Sequence, residues 1–221
     1  MNIATLYRQG LKLNPAKQGS KLNPFSALLH PFDSFYAVKE EGKGSLLAVA
    51  TIVLVFFLSS IFERQNTGYA FNMNNLDELN VWLVAAKTIA LYALWVLSNW
   101  VVATWMDGEG KASHIMIVSA YAIMPYVISL IVTTLLSKIM LVEEGVFLHY
   151  ITVLAILWSS VLMLIGLLIV HDYGFVRNLQ SIALTIAAMG IIVFLMILFY
   201  TLYQQAYVFV TTIYNEVLFR L

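Results

Sequence analysis

The chain has 221 residues, 61% hydrophobic and 11% charged, whereas a soluble domain carries about 25% charged residues. Lys and Arg number 12, as do Asp and Glu, so the formal net charge is zero and no global field draws nucleic acid or steers an acidic substrate. With no cysteine there are no disulfides, thiolate metal sites or cysteine nucleophiles.

Residues 1–24 contain Gly10, Pro15, Gly19, Ser20 and Pro24 without a sustained apolar period, which predicts a flexible cytoplasmic arm over 1–25. No cleavable signal peptide is expected, because the first apolar run is too long and too late for one. A lipidation signal is not expected either, since Asn2 follows Met1. From Pro31 the character changes. Phe32, Phe35, Tyr36 and Lys39 recur at three- and four-residue intervals, which predicts a short helix lying in the membrane interface. Gly42, Lys43 and Gly44 then break it.

Five long apolar runs follow, at 45–62, 81–105, 115–136, 147–170 and 182–203. At about 1.5 Å per helical residue, roughly 20 residues cross a hydrocarbon core of about 30 Å. Backbone groups in lipid must be satisfied within the segment, so each run is expected to be a helix. The expected fold is an all-α integral membrane protein, with a bundle of five transmembrane helices over 26–206. Interfacial amphipathic helices are expected before the first span and after the fifth. The longest joint, 63–80, holds Asn72, Asn74, Asn75, Asp77 and Asn80, with Asn75 or Asp77 as the helix start. The joints at 106–114, 137–146 and 171–181 are tight, so successive helices should be antiparallel neighbours.

The last segment, 207–221, reads as an amphipathic carboxyl-terminal helix. Ala206, Val210, Ile213, Tyr214, Val217, Leu218 and Leu221 form one stripe, and Thr211, Thr212, Asn215, Glu216 and Arg220 fall opposite. It either lies on the outer surface or continues the fifth helix beyond the bilayer.

Charge sets the expected orientation. Arg8, Lys12, Lys17, Lys21, Lys39, Lys43, Lys111 and Arg177 fall on the amino-terminal side, and Arg64, Lys138 and Arg220 on the other. The positive-inside rule places the amino terminus in the cytoplasm and the carboxyl terminus outside a cytoplasmic cell membrane. Trp82 and Trp105 bracket the second span as interfacial aromatics.

Several polar residues stand out against this background. Pro125, four residues after Tyr121, leaves the Tyr121 carbonyl without its helical donor. The result is a hinge or a ligand-facing carbonyl, or else a packing kink satisfied by a neighbouring helix. Lys87 is the charge inside a span; it snorkels outward or pairs with Glu63 or Glu143 inside the bundle. Asn99, deeper in the same helix, is suited to an interhelical hydrogen bond. Lys87 and Asn99 thus form a candidate intramembrane polar site. On the cytoplasmic side, Asp107, Gly108, Glu109, Gly110 and Lys111 join spans two and three, His114 opens span three, and His171 and Asp172 close span four. His114, His171, Asp172, Asp107 and Glu109 carry the donor types a divalent metal takes. They lack a metal-site spacing, and helix caps and solvated joints account for the same residues. Nucleophile–base–acid sets, phosphate loops and nucleic-acid signatures are absent from the sequence, so no enzyme, catalytic residue or cofactor is expected. The small residues Ala86, Ala90, Ala93, Ala183, Ala187 and Gly190 are read as intramolecular packing. A homo-oligomer is compatible with the sequence but not indicated by it.

The stretch Gly108-Glu-Gly-Lys-Ala-Ser, followed by Ser119-Ala-Tyr-Ala-Ile-Met-Pro-Tyr126, resembles the Yip-one (Ypt-interacting protein) family. That family has a Gly-x-Gly joint followed by a Tyr-x-x-x-Pro helix. Val170-His-Asp-Tyr-Gly174 and His30-Pro-Phe-Asp33 are similar to elements of its bacterial branch. The resemblance covers roughly 26–206 and implies a five-span membrane adaptor. Eukaryotic members associate with prenylated Rab-type GTPases in vesicle traffic. This chain lacks their Asp-Leu-Tyr-Gly-Pro-like element and long amino-terminal region.

The expected function is a multi-pass scaffold or adaptor that docks a membrane or cytoplasmic protein partner, or organises lipid. Its partner-binding or structural residues would be Asp107, Gly108, Glu109, Gly110, Tyr121, Pro125 and His171. The alternative is a small-solute or ion transport component, with its path near Lys87, Asn99, Tyr121 and Pro125.

Overall fold

The computed structural model describes residues 22–72 and 79–220. Most of the expected amino-terminal arm, and Asn75 and Asp77 as helix starts, lie outside the described residues. The elements are helices throughout: α1 (Ser26–Leu29), α2 (Pro31–Glu40), α3 (Leu46–Asn66), α4 (Val81–Trp105), α5 (Ala112–Ala122), α6 (Met124–Leu136), α7 (Gly145–His171) and α8 (Phe175–Arg220). Taking α5 and α6 together as one span, five helices are long and apolar enough to cross a membrane. The protein is an all-α membrane protein.

Local chemistry sets the helix starts. The Ser45 hydroxyl accepts from Ala48 N–H (3.4 Å) to open α3, and Asn80 Oδ1 accepts from Leu83 N–H (3.0 Å) to open α4. The cap of α4 is therefore Asn80, within the Asn-rich joint. Pro31 takes the first position of α2, where a missing N–H costs nothing. Inside α4, residues Ala86–Ala90 form a π-helical turn, which rotates the following residues relative to those before it.

Pro125 divides the third span. Ile123 sits at φ −81°, ψ −9° between α5 and α6, and the Ser159 hydroxyl of α7 accepts from the Tyr126 N–H (3.3 Å). A neighbouring helix thus supplies a partner to the interrupted ladder. This span is the centre of the bundle, with 61% of it buried against 22% or less of each of the others. Ile115, Val118, Ala120, Tyr121 and Ala122 are fully enclosed, packed with Leu162 and Leu167 of α7. α3 packs along both α5 and α6, with the Phe56 and Tyr126 rings edge to face at 5.9 Å. α4 is tied to α5 by the Tyr92 hydroxyl donating to Met116 O (2.6 Å) and Trp95 Nε1 donating to Ser119 Oγ (3.2 Å).

The face of α2 carrying Phe35 and Val38 turns into the bundle. Phe35 is fully buried, set between α5 and α7 at Gly166, where an added Cβ would overlap Val118 Cγ1 and approach Phe35 Cε2 to 3.3 Å. The segment before the first span is therefore a helix, as its periodicity predicts, but its apolar edge seats against protein. α8 takes the opposite role. It lies on α4 and, to a lesser extent, α7, and only 6% of its most apolar stretch is buried. Residues 207–220 do not form a separate helix; they continue α8 without interruption. No Gly or Pro occurs after Gly190 to stop it.

Candidate functional site

The polar residues of the amino-terminal end of the bundle meet where α4, α7 and α8 converge. α4 and α7 stop there in the same way. Asp107 (φ 55°) and Asp172 (φ 54°) each adopt the left-handed conformation just past a helix end. The next N–H reaches back to an open carbonyl: Gly108 to Ala103 O (2.8 Å) and Tyr173 to Leu168 O (3.2 Å). Aspartate tolerates this conformation better than most residues, though glycine is the usual occupant.

Beneath these caps runs a buried chain of side chains whose polarity can be worked out link by link. Thr185 Oγ1 donates to Ser181 O (2.8 Å), so it must accept from Asn99 Nδ2 (3.1 Å). The Asn99 amide is thereby oriented, with its Oδ1 facing His171 Nε2 at 3.0 Å. His171 Nε2 therefore carries the proton and donates, and Nδ1 is left as an acceptor. Asn99, His171 and Thr185 are at most 1% exposed, so the chain links three helices in a low-dielectric setting. On the same face of α8, Asn178 donates separately from Nδ2 to Leu164 O (2.9 Å). His171 Nδ1, Asn178 Oδ1, Ser98 Oγ and Ser181 Oγ are buried without a hydrogen-bond partner.

The Gly108-Glu109-Gly110 joint is laid directly on His171. A Cβ on Gly110 would stand 2.5 Å from His171 Nδ1 and 2.6 Å from Val170 Cγ1; one on Gly108 would stand 2.5 Å from the Tyr173 hydroxyl. Only glycine permits this approach at either position. Tyr173 stacks on the imidazole at 5.2 Å, and the Arg177 guanidinium lies over the Tyr173 ring at 5.0 Å. Burial raises the Tyr173 phenol above its ordinary value, offset in part by Arg177, so it stays protonated and points its hydroxyl at Met106 O (3.4 Å). Arg177 also donates to Met106 O, at the end of α4, and lies 3.9 Å from the Asp107 carboxylate.

Above this support the joint presents charge to solvent. The Asp107 side chain is 95% exposed and that of Glu109 64%, with Glu109 paired to Lys39 of α2 at 2.9 Å. The joint thus bridges the two ends of the site, gripping Arg177 on one side and Lys39 on the other.

The structure gathers Asn99, His171, Gly108, Gly110, Asp107 and Glu109 into one place. It does not bring Lys87 to Asn99: Lys87 is exposed on the π-helical turn, about 18 Å along the helix. Tyr121 is a core residue and Pro125 lies beside the α5–α6 break, both apart from this seam. Among the described residues no three His, Asp or Glu side chains come together as a metal would need. His114 is half-buried at the start of α5, and Asp172 is engaged as a helix-end residue. Thr185, Asn178 and Ser181 are the participants that sequence reasoning passed over. Their spacing of three and then four residues puts all of them on one face at the start of the fifth span.

Comparison with curated proteins and with solved structures returned no match. The Yip1 domain model matches residues 25–203, which includes the glycine joint, the Pro125 helix and every residue of the buried polar seam. The chain belongs to the Yip1 domain family.

Proposed function

We propose that this protein is a non-enzymatic scaffold of the cytoplasmic membrane. Its amino-terminal end faces the cytoplasm and docks a protein partner on the 106–111 joint together with α2 and the start of α8. The observation that carries this reading is the rigid mounting of an exposed charged loop. Asp107 and Glu109 stand in solvent, while the glycines between and beside them are clamped onto His171, itself fixed through Asn99 to Thr185. A loop held this way loses little entropy when a partner binds, which favours recognition. The cation distribution of the sequence supports the cytoplasmic placement.

The test is photocrosslinking in native membranes from a reactive residue at Glu109 or Asp107. A discrete protein adduct that is lost in Gly110→Ala supports docking. No adduct from either position, with unaltered membrane behaviour on charge reversal at both, overturns it. Lipid adducts alone would assign the loop to the membrane surface instead. Flux of a solute in proteoliposomes, abolished by Asn99→Leu, would replace the scaffold reading with transport.

A further inference from the structure

The end of α8 raises a separate question. The helix is about 69 Å long, whereas α4 beside it is about 37 Å. The bundle holds its opening turns through Asn178, Ser181 and Thr185, and among the described residues Ile192 is the last partly covered apolar one. From Val193 to Glu216 every side chain is exposed except the half-buried Thr211. Even a tilt of about 40° lets a hydrocarbon core of about 30 Å absorb only about 26 residues. If Phe175 marks one membrane boundary, the helix leaves the hydrocarbon near Thr201, at the end opposite α1 and α2. Beyond that point Tyr207, Phe209, Val210 and Tyr214 are each more than 60% exposed. Leaving such side chains in water forgoes about 1.5–3 kcal/mol apiece, so this stretch needs a cover that lipid does not reach.

The continuity of α8 past the membrane edge, taken with the spacing of its exposed side chains, points to the cover. Met196, Phe199, Tyr203, Ala206, Val210 and Ile213 alternate at three and four residues, a 3.5-residue period matched to a second helix of the same pitch. Gln204, Gln205, Thr212 and Asn215 fall away from that seam. The seam begins inside the membrane and continues past its edge, so its partner must cross the same boundary at the same height. The α8 of another copy meets that requirement through a two-fold axis along the membrane normal. The seam carries no charge, so self-pairing incurs no like-charge repulsion. We propose that two copies of this chain pair in parallel through the far half of α8, along the line from Met196 to Ile213.

The chain lacks cysteine, so single cysteines can be placed in the full-length protein without background. Oxidative crosslinking in membranes should give disulfide-linked dimers from Ala206→Cys, Val210→Cys and Ile213→Cys. Yields from Gln205→Cys, Val208→Cys and Thr212→Cys should be at least about tenfold lower, because disulfides need Cα atoms within about 7 Å. Equal yields on both faces, or none on the seam, overturn the proposal. So does a nitroxide at Val210 that is exposed to lipid-dissolved oxygen, which would show the helix end folded onto the bilayer. A cross-link from the seam to a different protein also overturns it. As a second measurement, Val210→Glu on this exposed surface should halve the particle mass in detergent while leaving tryptophan emission unchanged. An unchanged mass refutes the pairing.

Discussion

Gly110→Ala tests the central geometry of the site. The new Cβ would lie 2.5 Å from His171 Nδ1 and 2.7 Å from its Cε1. The imidazole cannot easily yield: Nε2 is bonded to Asn99 Oδ1 at 3.0 Å and one ring face is stacked on Tyr173. Lifting the joint would strain its reach to Arg177 and Lys39. Overpacking of this kind costs about 1–3 kcal/mol, and loss of an interhelical hydrogen bond in a membrane protein about 0.6–1.7 kcal/mol. The expected loss is about 2–4 kcal/mol, which for a chain of this length lowers Tm by about 4–16 °C in detergent. The decisive measurement is a double-mutant cycle with His171→Ala. Removing the ring makes room for the methyl, so the double variant should be more stable than the sum of the two losses by at least about 0.5 kcal/mol. Strict additivity, or a Gly110→Ala protein with unchanged Tm, would refute the clamp.

Asn99→Leu should cost about 1–3 kcal/mol, because it removes bonds to both His171 and Thr185. Thr185→Val should cost less, since Asn99 keeps its bond to His171; thermal unfolding of the two variants side by side checks the order. Asp172→Gly should stabilise by up to about 1 kcal/mol by relieving the left-handed backbone, whereas Asp172→Val should destabilise by about 1–2 kcal/mol. Lys39→Met should change stability by less than about 1 kcal/mol, because its partner Glu109 is largely exposed. If that variant unfolded far earlier, the ion pair would be structural and the loop could not act as a free docking surface.

The spans were legible because lipid imposes one rule on each of them. A run of apolar residues about 20 long has no alternative to a helix, and Val81–Trp105 matches its run residue for residue. Helix ends were harder where they depend on tertiary partners. The fifth apolar run stops at 203, yet a helix ends on backbone chemistry rather than polarity, and no Gly or Pro after Gly190 breaks the ladder. The apolar face of α2 could be recognised, but whether protein or lipid covers it depends on Gly166, well over a hundred residues downstream. Asn99 and His171 were visible as polar residues in or beside greasy helices. Their pairing was not, because their separation of 72 residues carries no spacing signal.

The seat of Phe35 also has a bearing on biogenesis. The notch that receives it is built from Val118 and Gly166, which are synthesised much later. At about 5–20 residues per second, on the order of 7–26 s pass between the emergence of the plug and the completion of its socket. A helix made this early is thus among the last to be housed, and until then its aromatic side chains are open to any chaperone that waits at the ribosome.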